Sequence, residues 1–139
     1  MPTDQELFDE LCFYTLSHPD PAFLHQHAVD SFAAQHANEQ SKPITVVFGL
    51  IGLYLFLEKG FTGKQVQKMH MQLARQRKVW PAISPPGVQA RITVSDVLAA
   101  PRGPERDNAI RDWCISVWET WQPRRGLIVD LVRKELDIR

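Results

Sequence analysis

Cysteine is scarce in this chain, with only Cys12 and Cys114 among 139 residues. They form no Cys-x-x-Cys pair, and their number excludes a disulfide-stapled scaffold. We read them as free thiols of a protein in a reducing cytoplasm. An excess of charge is missing too: 16 Lys and Arg balance 16 Asp and Glu, for a formal net charge of zero. There is then no global attraction to nucleic acid or anionic lipid, and any basic site must be local. Long apolar runs are also lacking. The longest, "VVFGLIGLYLFL" from Val46 to Leu57, is far short of the about 20 residues a spanning helix needs. Apolar on every side, it is expected as a buried helix, with no membrane association. The opening "MPTDQELFDELCFY" is acidic and lacks the basic-then-apolar order of a signal peptide. No Gly-rich phosphate loop, Gly-x-Ser-x-Gly elbow or dinucleotide fingerprint occurs, and there is no internal repeat.

What is present is helix punctuation. Thr3 with Glu6 is a capping box, predicting a helix from Asp4 to about Leu16. In "SHPDP", which includes His18, the chain turns; Asp20 is a candidate cap, with Pro21 at the first position of a helix reaching about Ala37. Pro43 opens the apolar helix and Gly60 stops it. Thr62 with Gln65 is a second capping box, for a helix to about Lys78. "WPAISPPGVQA" is too rich in proline for a helix. Thr93 with Asp96 caps a short helix ending near Ala100, and a long one follows from about Pro104 to Trp121. Pro123 starts or kinks the last helix, with apolar positions Leu127, Ile128, Leu131, Val132 and Leu136. "VQARITV" is the one weak strand candidate. The expected fold is all-α: a compact antiparallel helical bundle with the apolar helix as its buried axis. We read one helical domain over 1–139, with a bundle core at 3–79, a proline-rich link at 80–92 and C-terminal helices at 93–139.

"FLHQHAVDSFAAQH" holds three of the five histidines. A helix turns 100° per residue, so His25 and His27 face nearly opposite ways, and His25 and His36 are about 16 Å apart along the axis. No two histidines of this helix can share one ion. The local pair available is His27 with Asp30. A site assembled across helices is the sharper expectation. Counting outward from the loops puts Cys12, His25 and His70 at similar heights, with Glu58 or Tyr54 nearby. Cys12, His25, Glu58 and His70 are therefore the candidate ligands of a divalent metal such as zinc, with His27 and Asp30 as the alternative pair. Cys12 activated by a histidine is a second chemistry the same set permits. The bland alternative is packed, hydrogen-bonded histidines and a buried thiol.

Lys64, Lys68, Arg75 and Lys78 follow one stripe, with Lys59, Arg77 and Trp80 near it. Its functional reading is a phosphate-contacting face in a helix–turn–helix outline; its ordinary reading, favoured by zero net charge, is a solvated face. Trp113 and Trp121 fall on a core stripe, while Trp118 lies off it and is a candidate for a pocket or a homodimer contact. Gly49 and Gly52 cost helix stability and mark close helix approach or room for a ligand.

The runs "CFYTLSHPDPAFLHQHAVDSFAAQH" and "KPITVVFGLIGLYLFLEKGFTGKQVQKMHMQLA", followed by "TVSDVLAAP" and "ERDNAIRDWCISVW", resemble a family of small bacterial proteins catalogued as a domain of unknown function. The resemblance covers most of the chain. It implies a bacterial, cytosolic, single-domain protein and carries no mechanism, ligand or catalytic residue. The leading expectation is a small helical protein binding a metal or small ligand inside the bundle, with enzymatic activity left open. The alternatives are a dimerising or scaffold protein with structural histidines, and nucleic-acid binding through the basic stripe.

Overall fold

The computed structural model describes residues 1–17 and 20–138. Among them the secondary structure is helical throughout: α1 (Asp4–Ser17), α2 (Leu24–Gln35), α3 (Pro43–Lys59), α4 (Gly63–Ala74), α5 (Val94–Ala99), α6 (Pro104–Thr120) and α7 (Arg125–Leu136), with one 3₁₀ turn at Gln122–Arg124. No strand is present among the described residues, and "VQARITV" is loop leading into α5. Its backbone is engaged elsewhere: Ile92 N–H donates to Ser116 Oγ (3.2 Å), and Ile92 C=O accepts from Gln35 Nε2 (2.8 Å).

The local signals act as read. Thr3 and Glu6 close a capping box, with Glu6 N–H on Thr3 Oγ1 at 3.1 Å and Thr3 N–H on Glu6 Oε1 at 3.2 Å. Thr62–Gln65 and Thr93–Asp96 do the same for α4 and α5. Gly60 ends α3 in the left-handed region, at φ 71°.

Pro123 lies in the 3₁₀ turn and α7 begins at Arg125. Two other boundaries differ, and tertiary contacts explain both. Helix α2 starts at Leu24, not after Asp20, because Phe23 is left-handed (φ 51°) and residues 20–23 form a turn. The start of α4 fixes that turn. Gly63 N–H donates to Ala22 C=O, and a Cβ on Gly63 would lie 1.8 Å from Phe23 O. Helix α4 ends at Ala74, not near Lys78. The chain turns through a left-handed Arg77 (φ 49°) so that Trp80 reaches the core and meets the Phe48 ring edge-on at 5.3 Å.

The apolar α3 is the most deeply buried helix, with Val47, Leu50, Ile51, Leu53 and Leu55 fully covered. It packs on α2, α4, α6 and α7, while α2 also touches α1, α4 and α6. The indoles lock the C-terminal helices onto this pair. Trp113 Nε1 donates to Gln35 Oε1 at 2.8 Å and Trp121 Nε1 to Ala34 C=O at 3.3 Å. Trp118 is buried too, and its Nε1 donates to Glu58 Oε2 at 2.8 Å.

Candidate functional site

The four candidate metal ligands fall into three separate neighbourhoods. The first lies between α1 and α2. His25 Nδ1 is 3.0 Å from Thr15 Oγ1, which itself donates to Cys12 C=O at 3.1 Å. The side chain that meets His25 from α1 is thus Thr15, one turn beyond Cys12. The Cys12 thiol is half-buried, and burial first, then the Asp9 carboxylate, pushes its pKa up to about 11. A thiol held in that direction is a poor nucleophile at neutral pH.

The second neighbourhood belongs to His70. Its Nε2 lies 2.8 Å from Phe48 C=O, so that nitrogen carries the proton. Nδ1 then accepts from Gln26 Nε2 at 3.3 Å. The same amide donates to Asp30 Oδ1 at 3.1 Å. Both imidazole nitrogens are used, and burial lowers the pKa to about 4. Neutral His70 has no lone pair free for an ion. Glu58 makes the third neighbourhood, where Arg125 Nε bonds both carboxylate oxygens (3.0 and 2.9 Å) beside the Trp118 indole. Arg125 first, with help from Trp118, holds the Glu58 carboxyl below its usual range. Among the described residues no group of three or more His, Cys, Asp or Glu side chains is placed to hold a metal ion. His18 lies outside the described residues.

The alternative pair, His27 and Asp30, sits in a buried polar file on α2. His27 is 1% exposed, stacked on Phe56 at 3.6 Å, and neither ring nitrogen has a hydrogen-bond partner. Burial first, then nearby Arg111, lowers its pKa to about 4. Asp30 is 2% exposed and its Oδ2 has no partner. Burial raises its pKa well above the ordinary carboxyl value, against the smaller opposing effect of Gln26. His70 Nε2 is 3.9 Å from Asp30 Oδ1. Both groups are shifted toward their neutral forms, so this is a neutral contact rather than an ion pair. Ser31 and Cys114 complete the file, and burial pushes the Cys114 thiol up to about 12. Gly49 and Gly52 are what let α3 approach it: a Cβ on Gly49 would lie 3.1 Å from Asp30 O. The close-approach reading of those glycines holds.

His36 caps the end of α2, with Nδ1 on Phe32 C=O and Nε2 on Asp4 Oδ2, both at 3.1 Å. On the basic stripe of α4, Lys64, Lys68 and Arg75 are exposed. Lys78 is paired with Glu135 and lies over Trp80, and Lys64 lies over Phe23. The cationic face is correspondingly smaller than its sequence suggests.

One feature open to solvent was not foreseen. A cleft of about 490 Å³ opens between α1 and the α5–α6 junction, lined by Glu10, Phe13, Tyr14, Leu98, Arg102 and Arg106 among others. Its floor is tightly bonded. Tyr14 Oη accepts from Gly103 N–H at 3.0 Å and donates to Asp107 Oδ1 at 2.8 Å. Burial and then Asp107 raise the Tyr14 pKa, so the hydroxyl stays protonated. Arg106 lies over the Tyr14 ring at 4.8 Å, held by Ala100 C=O (3.0 Å) and Leu98 C=O (2.9 Å). Phe13 forms a wall and is 74% exposed. One sequence signal pointed here: Leu7, Phe8, Leu11 and Tyr14 make the inward stripe of α1, which leaves Phe13 off it. A second cleft of about 490 Å³ around Asp4, Gln35 and His36 has no Phe, Tyr or Trp wall.

No helix among the described residues is long and apolar enough to cross a membrane. A family model described as "Family of unknown function (DUF5946)" matches residues 3–122, and the chain belongs to that family. No curated protein and no solved structure matches it.

Proposed function

We propose that the protein is a non-covalent binder of a small molecule, taken in the cleft between α1 and the α5–α6 junction. The observation that supports this is Phe13, an exposed aromatic wall facing a floor of fixed polar groups, Tyr14 and Arg106. A ligand pocket combines apolar surface with a few convergent polar groups in about 300–1,000 Å³, and the cleft's volume of about 490 Å³ falls within that range. A side chain exposed to this degree gains by being covered, since apolar burial stabilises by about 25 cal/mol per Å². Covalent chemistry has less support. Both thiols are shifted toward the protonated form, and so is the Tyr14 hydroxyl. The ligand then lies at the edge of the bundle rather than at its centre, where the histidines serve packing.

The test is fluorescence titration with N-phenyl-1-naphthylamine, an uncharged aromatic dye. Saturable binding weakened at least about fivefold by Phe13→Ser, and unaffected by Leu16→Ser, is the expected result for an aromatic contact of about 1 kcal/mol. Leu16 is the control because it is also exposed, at 57%, but does not line the cleft. Binding equally indifferent to both substitutions overturns the proposal.

A further inference from the structure

We infer that the ligand of this cleft carries an anionic headgroup on an apolar body, and that Arg102 and Arg106 select for it; the inference rests on the ligand-binding reading above. The shared chemistry is a carboxylate, sulfonate or phosphate ester.

The argument begins with Arg106. Its guanidinium is half-buried, yet among the described residues no carboxylate pairs with it. Backbone carbonyls hold it instead, through Nε on Ala100 and Nη2 on Leu98, and the Tyr14 ring supports one face. These contacts fix the fork without neutralising its charge, and a half-buried charge normally has a counter-ion. Its Nη1 has no hydrogen-bond partner among the described residues. Of the two carboxylates that flank Arg106 in the chain, Asp107 accepts from the Tyr14 hydroxyl and Glu105 is exposed. Arg102 stands at the rim, exposed and in no ion pair among the described residues. Two guanidiniums therefore line the cleft against one carboxylate, Glu10. Among the lining residues that is a positive excess, with the Asp107 carboxylate behind the floor and bonded to the Tyr14 hydroxyl. A fixed guanidinium presents N–H groups that match carboxylate and phosphate oxygens, and it loses little freedom on binding. Phe13 and Leu98 supply the apolar surface for the rest of the ligand. Tyr14 closes the floor and adds no charge.

The experiment pairs two dyes of similar body and different charge, 8-anilinonaphthalene-1-sulfonate and uncharged N-phenyl-1-naphthylamine. Both are titrated into the full chain as wild type, Arg102→Ala, Glu10→Gln and Phe13→Ser, with the melting temperature of each variant recorded. Arg106 is left intact because it holds the end of α5. Arg102→Ala is expected to weaken sulfonate binding by about tenfold, the loss of one charge-assisted contact. Glu10→Gln is expected to tighten it, and neither is expected to change binding of the neutral dye. Phe13→Ser weakens both. Displacement of the sulfonate by benzoate or by phenyl phosphate, in preference to benzyl alcohol, then identifies the headgroup. If Arg102→Ala and Glu10→Gln affect both dyes alike, or benzyl alcohol competes as well as the anions, the anionic class is overturned while the cleft remains a binding site. If neither dye responds to Phe13→Ser, the ligand-binding reading itself fails.

Discussion

The Asp30 carboxyl fills the space that any side chain at position 52 would need: a Cβ there would lie 1.9 Å from Oδ2 and 2.5 Å from Cγ. Helices α2 and α3 meet at this point, and the glycine exists to admit the acid. Gly52→Ala is expected to destabilise the fold by about 3 kcal/mol, the upper part of the range for overpacking a core. In an Asp30→Ala background the sign should reverse. The obstruction is gone, and alanine is favoured over glycine in a helix by about 1 kcal/mol. Urea denaturation of the four proteins of this cycle checks it; equal costs of Gly52→Ala in both backgrounds would show that the carboxyl is not the obstacle.

The same residue sets an alkaline limit on stability. The unfolded chain releases the Asp30 proton near pH 3.9, while the folded chain holds it well above that. Stability is therefore lost as pH rises past about 4, by about 1.4 kcal/mol per unit, until the folded pKa is reached. His27 and His70 act in the other direction. Unfolded, each takes a proton near pH 6.5; folded, each stays neutral down to about 4. Their contribution is lost as pH falls from about 6.5 to about 4, and His25, also lowered by burial, adds to it. Between those values the histidine protons outnumber the one aspartate proton, so stability rises with pH. Above about 6.5 the histidines no longer contribute, and stability falls for as long as folded Asp30 keeps its proton. Asp30→Asn should remove the alkaline fall and steepen the acid limb. Denaturation midpoints from pH 4.5 to 8.5 measure both slopes, and an unchanged alkaline limb in the variant would show Asp30 ionised in the folded state.

What could be read from sequence was what is local. Three capping boxes, the Pro43 start and the Gly60 stop each depend on residues within a few positions of one another, and each lies where expected. The left-handed Phe23 and the early end of α4 depend on Gly63 and Trp80, partners that no short window contains. The site behaves likewise. Helices α1 and α2 meet at Thr15 and His25, with the Cys12 carbonyl accepting from Thr15. Height does not fix direction, however, and His70 turns to Gln26 and Phe48 while Glu58 turns to Arg125. The Tyr14–Gly103 floor of the cleft joins residues 89 apart in the chain. Only the misplaced apolar Phe13 on α1 announced it.

Glu58 offers a separable test of ion pair against indole. Trp118 is buried and its N–H depends on Glu58 Oε2, whereas the Arg125 partner is partly in solvent, at 43% side-chain exposure. Glu58→Gln keeps an acceptor for the indole and is expected to cost less than about 1 kcal/mol, as for an exposed pair. Glu58→Ala strands a buried donor and should cost about 1–3 kcal/mol. Tryptophan fluorescence during denaturant unfolding follows both. Equal losses in the two variants would place the stabilisation in the ion pair instead.

Two buried histidines with equally lowered pKa values should respond oppositely to one substitution. His27 stacks on Phe56 with no partner for either nitrogen, so its imidazole carries an uncompensated desolvation cost. Phenylalanine keeps the ring and removes that cost, of about 1–3 kcal/mol for an unsatisfied polar group. His27→Phe is expected to be neutral or stabilising at pH 7, and to gain most near pH 5, where the native histidine resists a proton the unfolded chain accepts. His70 has both nitrogens bonded, to Phe48 C=O and to the Gln26 amide. His70→Phe takes a partner from two part-buried groups, the Phe48 carbonyl and the Gln26 amide, and should cost about 1–3 kcal/mol at pH 7. Thermal denaturation of the two variants at pH 5 and pH 7 decides the matter. A loss at His27 as large as that at His70 would mean that its nitrogens have partners in solution, such as a bound water or ion, and would return attention to the polar file on α2.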